Sequence, residues 1–158
     1  MEIKFVSSVL FVNDIQTSRR FYEEMLGQKV LMDHGPNVGF EGGFSLWQKD
    51  HANQILFGRP FTGELPLGKH NLELYFETEE LEKIINNLVS SKTEFVHPLI
   101  EQPWGQRVIR MYDPDRHIVE IGEPMSAVIS RYLDSGMKLD EIAKRTSMPL
   151  EIIQQLAK

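Results

Sequence analysis

Residues 3–12 alternate loosely between apolar and polar positions and are rich in β-branched and aromatic side chains, which predicts a strand. Asp14 then stands as a helix cap, and Ile15, Phe21, Tyr22 and Met25 are spaced for a buried stripe on a helix reaching Leu26. Gly27 sits where a helix C-terminal glycine belongs. Residues 29–32, Phe44–Gln48 and residues 54–57 predict three short strands separated by glycine-rich or polar turns. Gly35, Gly39, Gly42 and Gly43 read as a flexible loop and not as a phosphate cradle, because no helical pattern follows them. The order is strand, helix, strand, strand, strand.

The second half repeats that order. Residues 71–77 form the cleanest alternation in the chain, with Leu72, Leu74 and Phe76 on one face and Glu73, Tyr75 and Glu77 on the other. Leu81, Ile84, Ile85 and Leu88 follow at helical spacing within residues 79–91. Short strands are predicted at residues 94–97, Arg107–Tyr112 and Ile118–Gly122, with Asp113-Pro-Asp-Arg116 as the turn between the last two. An offset of 66 residues superimposes Ser7 on Glu73, Leu10 on Phe76, Val30 on Val96 and His51 on His117. By that offset the counterpart of Glu120 is Gln54. The repeated order of elements is a stronger signal than the residue identities.

Composition narrows the picture further. The chain has 158 residues, 41% of them hydrophobic and 25% charged, enough for a core without staples. The absence of cysteine excludes a disulfide scaffold, a thiolate metal site and a cysteine nucleophile. A net charge of −6 disfavours non-specific nucleic-acid binding, which needs a clustered positive face. No apolar run approaches the roughly 20 residues of a membrane span, and the first residues read as a strand instead of a leader. A cytoplasmic protein without membrane contact is the expectation.

Two βαβββ modules in one chain resemble the vicinal oxygen chelate superfamily, which includes glyoxalase I, extradiol dioxygenases, fosfomycin-modifying enzymes and bleomycin-resistance proteins. The resemblance covers residues 3–123. It rests on Val12-Asn-Asp14 leading into Arg20-Phe-Tyr22 and Leu26-Gly27, and on the ending Asp113-Pro-Asp-Arg-His-Ile-Val-Glu-Ile121. Arg116 stands where the family's turn usually has glycine, an uncomfortable substitution if that position needs a positive φ. The resemblance implies an α+β fold: two modules forming an open, curved mixed sheet, helices on its convex side and a small-molecule site on its concave side. It also implies a homodimer.

In metal-dependent members, ligands project from the first and last strands of each module. Carried over position by position, these fall on Ser7, Gln54, Glu73 and Glu120. Only Glu120 keeps the usual residue; Ser7 and Glu73 replace the usual histidine or glutamine and histidine. A set without histidine suits neither zinc nor a dioxygenase iron, although Gln54, Glu73 and Glu120 could hold Mg²⁺ or Mn²⁺ weakly. The alternative is a cavity that binds an organic molecule with no cofactor at all.

Strand phase sketches the same face independently. It gathers Ser7, Glu73, Tyr75, Arg110, Tyr112 and Glu120, while Ile109, Met111, Val119 and Ile121 turn toward helices. Glu73 and Glu120 are candidate proton-transfer residues, since opposed carboxylates raise at least one pKa. Arg110 either grips an anionic substrate group or merely neutralises the glutamates. Trp104, between Pro103 and Gly105, either covers an organic ligand or packs. His117 reads as a turn-stabilising residue. His34, His51 and His97 lie in or beside predicted turns without ligand-like spacing.

Residues 124–158 change to helical patterning and form an appendage that the family fold does not require. Val128, Ile129, Tyr132 and Leu133 form one stripe ended by Gly136, then Leu139, Ile142 and Ala143 a second, and Ile152, Ile153 and Leu156 a third. Residues 136–153 resemble a helix-turn-helix, but the last helix offers Glu151, Gln154 and Gln155 and only Lys158 as a cation. Packing on the barrel, a partner subunit or another protein is therefore expected over DNA contact. The expected function is binding of a small organic molecule, with lyase or isomerase chemistry implied by the resemblance if the protein is an enzyme. The alternative is a ligand-sequestering or ligand-sensing protein whose tail contacts a partner.

Overall fold

The structure is a computed structural model that describes residues 5–58, 66–70 and 72–157. Two predicted strand starts, Ile3 and Asn71, lie outside the described residues. The chain divides into two compact units, residues 1–72 with 113–117, and residues 73–112 with 118–158.

The first unit runs β1 (Ser8–Val12), α1 (Ile15–Arg20), β2 (Val30–Asp33), β3 (Asn37–Phe40), β4 (Phe44–Gln48) and α2 (Lys49–Phe57). Its sheet has the order β1-β4-β3-β2, with β1 and β4 parallel and the other pairs antiparallel. Asp14 caps α1 by accepting from the Thr17 amide at 2.6 Å, and that bond holds its carboxyl below the usual range. A π-helical turn at Phe21–Met25 carries the helix on, and both Phe21 and Tyr22 are buried. Tyr22 packs against Phe40 and Phe44, whose rings stack at 4.8 Å.

Two expectations for this unit are corrected. The glycine-rich segment supplies strand β3, and residues 54–57 are the end of a helix, not a strand. Residues 48–57 show no alternation, and only Ile55 among them is β-branched, so nothing pulls the segment into a sheet already complete at Gln48. Burial of Ala52 and Asn53 and the left-handed Gly58 cap define α2 instead. Gln54 is exposed on that helix. In the sheet, Glu120 stands opposite Tyr75, the 66-residue counterpart of Tyr75 is Val9, and the residue opposite Val9 is Ser45. Unequal connections before the last strands broke the constant offset.

The turn 113–117 also belongs to the first unit. The Asp113 carboxylate accepts from the amides of Asp115 (2.9 Å) and His117 (2.8 Å) and from the Tyr22 hydroxyl (2.9 Å). His117 Nδ1 lies 3.0 Å from the same carboxylate, which gives this histidine the structural role expected of it. Asp115 accepts from the Asn13 amide and the Ser18 hydroxyl. Arg116 does adopt the left-handed conformation, at φ +66°.

The second unit runs β5 (Glu73–Glu77), α3 (Leu81–Ser90), β6 (Phe95–Glu101), β7 (Arg107–Tyr112) and β8 (Ile118–Gly122). It repeats the topology with sheet order β5-β8-β7-β6, β5 and β8 parallel. Leu81, Leu88, Ile109, Met111, Val119 and Ile121 are buried, in the predicted phase. The unit closes with α4 (Met125–Asp134), α5 (Leu139–Thr146) and α6 (Leu150–Leu156). Val128, Ile129, Tyr132, Ile142 and Ile153 form a core among these three helices. The protein is thus α+β, with two four-stranded mixed sheets and a C-terminal helical segment. Among the described residues, no helix is long and apolar enough to cross a membrane.

Candidate functional site

The second sheet places one row of polar side chains across three strands. Arg110 on β7 lies directly opposite Glu120 on β8 and opposite His97 on β6. Glu120 in turn lies opposite Tyr75 on β5, two residues beyond Glu73. Residues directly opposite in a ladder project to the same face, so His97, Arg110, Glu120 and Tyr75 share one face with Glu73.

The Arg110 guanidinium organises the row. Its Nε donates to Glu73 Oε2 at 2.9 Å, one Nη forms an ion pair with Glu120, and the other donates to His97 Nε2 at 3.2 Å. Glu120 is buried, and desolvation pushes its carboxyl above the ordinary value. The Arg110 charge opposes that rise, and the Glu73 charge adds to it.

A second polar chain runs from the same face toward the β6–β7 loop. Trp104 Nε1 donates to Gln106 Oε1 at 3.1 Å, Gln106 Nε2 donates to the Tyr75 hydroxyl at 2.6 Å, and that hydroxyl donates to Glu77 at 2.6 Å. Desolvation and the bond to Glu77 push the Tyr75 phenol up to about 12. Gly122 makes room beneath this chain: a Cβ there would lie 3.0 Å from Gln106 Nε2 and 3.3 Å from the Tyr75 ring. The Tyr75 hydroxyl is therefore occupied, while the residue as a whole is half-exposed.

The structure brings together Glu73, Tyr75, Arg110 and Glu120, with Tyr112 on the same face two residues from Arg110. Trp104 belongs to the adjoining chain, and the residue is 40% exposed. Ser7 is in the first unit, where its hydroxyl donates to the Ser8 carbonyl at 2.9 Å. Gln54 is on α2 of that unit and faces solvent. Gln106 and His97 were missed by sequence reasoning. Pairing in β6 shifts register on both sides of His97, and this turns it away from the face of Phe95, two residues earlier. No signal in the sequence marks that shift.

The oxygen ligands expected for Mg²⁺ or Mn²⁺ do not assemble. Gln54 is elsewhere, and the carboxylates of Glu73 and Glu120 are engaged by a guanidinium that a divalent cation would have to displace. Among the described residues, no group of three or more histidine, cysteine, aspartate or glutamate side chains is arranged to hold a metal ion. The residues present do not fit a divalent cation.

The profile of the glyoxalase-like domain family matches residues 5–126. The chain belongs to that family. Its fold is that of the vicinal oxygen chelate superfamily, and α5 and α6 lie beyond the matched segment. A crystal structure of a protein of unknown function from Agrobacterium tumefaciens is similar at 36% identity and TM-score 0.72, covering 78% of this chain and 96% of that one. A glyoxalase/bleomycin resistance protein/dioxygenase from Nocardioides is similar at 22% identity and TM-score 0.60, over 78% and 84% of the two chains. A lactoylglutathione lyase from Agrobacterium tumefaciens is similar at 18% identity and TM-score 0.60, over 79% and 96%. The last two show the shared fold alone. No curated protein sequence matches the chain.

Proposed function

We propose that this glyoxalase-like protein binds a small organic molecule on the polar face of its second sheet and moves a proton on it through Glu120. The observation that carries this reading is the setting of the Glu120 carboxyl: buried, raised in pKa, and flanked by Glu73 and Arg110. A carboxylate of raised basicity suits proton abstraction from carbon next to a carbonyl, as in isomerase or lyase chemistry. Arg110 offsets the charge that develops when Glu120 has lost its proton. The Tyr75 ring would lie against the ligand, with Glu73 setting how readily Glu120 takes up the proton.

The test is solvent exchange. A panel of small hydroxyketones and 2-oxo acids is incubated with the protein in D₂O, and loss of each α-proton signal is followed by NMR. Exchange that Glu120→Gln reduces at least 100-fold, with ligand binding retained, supports the reading. Equal exchange by wild type and Glu120→Gln overturns it.

Ligand binding without any exchange favours a second reading, a sequestering or sensing protein. The exposed residues Tyr75 and Trp104 support that reading, since aromatic rings suit stacking without chemistry. Exposed Leu150, Ile152 and Leu156 on α6 would then be the surface through which the tail meets a partner.

A further inference from the structure

We infer that the C-terminal helices help to build the candidate site: Arg131 on α4 is a positioning residue that holds Gln106, and through Gln106 the Tyr75 side chain. That Tyr75 belongs to a ligand face rests on the reading above; the positioning itself does not.

Arg131 grips both sides of Gln106. One Nη donates to the carbonyl of Gly105, the residue just before Gln106, at 2.6 Å, and to the Glu123 carboxylate at 2.7 Å. The backbone carbonyl of the same Glu123 accepts from Gln106 Nε2 at 2.8 Å. Gln106 is buried, so a slip of either neighbour would leave its amide short of a partner where water does not replace it.

Every bond that leads from Gln106 into the site has a forced direction. A backbone carbonyl only accepts, so the amide nitrogen faces Glu123; an indole N–H only donates, so the amide oxygen faces Trp104. The same amide nitrogen donates to the Tyr75 hydroxyl oxygen, which leaves the phenol proton for Glu77. The tip of Tyr75 is thus tied from both sides, and the tie that leaves its own strand runs through Gln106.

Arg131 is itself held by groups from two tail helices and from β6. Its guanidinium lies 5.1 Å from the centroid of the Tyr132 ring, and that of Arg145 on α5 lies 5.8 Å from it. Arg131, Arg145 and the Tyr132 hydroxyl all donate to Glu101, the last residue of β6. These three tail residues lie beyond residue 126, where the family match ends, whereas Tyr75, Gln106 and Glu123 lie within it. The appended segment therefore directs two arginines at the loop that carries Trp104 and Gln106.

The probes are the Trp104 indole N–H and the Tyr75 Cζ, read by NMR on the full chain labelled with ¹⁵N-tryptophan and ¹³C-tyrosine. Trp104→Phe and Tyr75→Phe assign the two signals. Ile153→Val is the control, a truncation in the buried core of the tail at a residue of α6. Arg131→Met should speed exchange of the Trp104 indole proton about ten-fold and shift the Tyr75 signal, both in the folded protein. Ile153→Val should leave both in place. In a Gln106→Leu background, Arg131→Met should no longer move the Tyr75 signal. A folded Arg131→Met with both signals unmoved would overturn the inference, since that is what mere fastening of the tail predicts. So would an equal response to Ile153→Val, or a Tyr75 shift that persists in Gln106→Leu. If Arg131→Met does not fold, Arg131→Lys is read in the same way: it keeps the charge but lacks the fork that reaches Glu101, Gly105 and Glu123 together. No ligand enters these measurements, so failure of the proton-transfer reading leaves their outcome intact.

Discussion

Arg110 stands directly opposite Glu120 in the β7–β8 ladder and forms an ion pair with it on one face of the second sheet. The pair does not cancel the cost of burying the carboxylate: desolvation outweighs the guanidinium, and Glu120 remains a weaker acid than an ordinary glutamate. The setting gives the Glu120 side chain its chemical interest and makes its titration measurable.

Carboxyl ¹³C NMR should show Glu120 titrating above the usual glutamate range. Glu73→Gln should lower its pKa by removing a like charge, and Arg110→Met should raise it by removing the opposing one. A raised folded-state pKa means the folded protein holds this proton more tightly than the unfolded chain. The Glu120 contribution to stability is therefore full below about 4.5 and declines as pH rises through the folded value. Wild type should thus lose stability relative to Glu120→Gln over that interval, as read by denaturant melts at successive pH values.

Glu123 should behave with the opposite sign. Burial alone would raise its pKa, but bonds from Arg107 (2.9 Å) and Arg131 (2.7 Å) outweigh that and hold it below the usual range. Its stabilising contribution is present above the unfolded value near 4.5 and is lost as pH falls through the folded one. Glu123→Gln should cost about 2–3 kcal/mol at pH 7, because the carboxylate is buried while both arginines are a third exposed. The gap between variant and wild type should narrow on acidification, in melts taken from pH 6.5 to 3.5.

Gly105→Ala should loosen the C-terminal helices. Gly105 has φ +90°, and a Cβ there would lie 2.0 Å from the Tyr132 hydroxyl oxygen. Arg131 donates to the Gly105 carbonyl at 2.6 Å, so α4 grips this loop residue by backbone and by packing. Backbone strain and displacement of Tyr132 together should cost about 2 kcal/mol. Hydrogen exchange should show faster opening in α4 and in the loop 102–106.

Asp113→Ala should unfold the first unit's turn. The side chain accepts from two amides and the Tyr22 hydroxyl, and Tyr22 is itself fully buried. Leaving the phenol without a partner adds its desolvation penalty to the lost bonds, and the total should be about 3 kcal/mol. Urea midpoints should record it, and Tyr22→Phe in the Asp113→Ala background should cost little more.

Some elements were legible because their signals are local. Asp14 as a cap, the left-handed Gly27, the alternation of β5 and the Asp113 turn each depend on residues within a few positions of one another. The duplicated order of elements follows from the same local patterns, and with it the family. Gln54 was misplaced because a constant offset assumes equal connections, whereas only strand pairing reveals which residue faces Val9.

The sequence by itself determined the second βαβββ module, the shared faces of β5, β7 and β8, and the helical tail, while in the first module it misassigned β3 and the last strand. Hydrophobic periodicity and capping chemistry are properties of neighbouring residues. Only the tertiary structure decided that His97 joins Arg110, that Gln106 holds Tyr75, and that a guanidinium sits between Glu73 and Glu120. Those relationships pass through register shifts and ladder partners far apart in the chain, where one residue of slip changes the face on which a side chain lies.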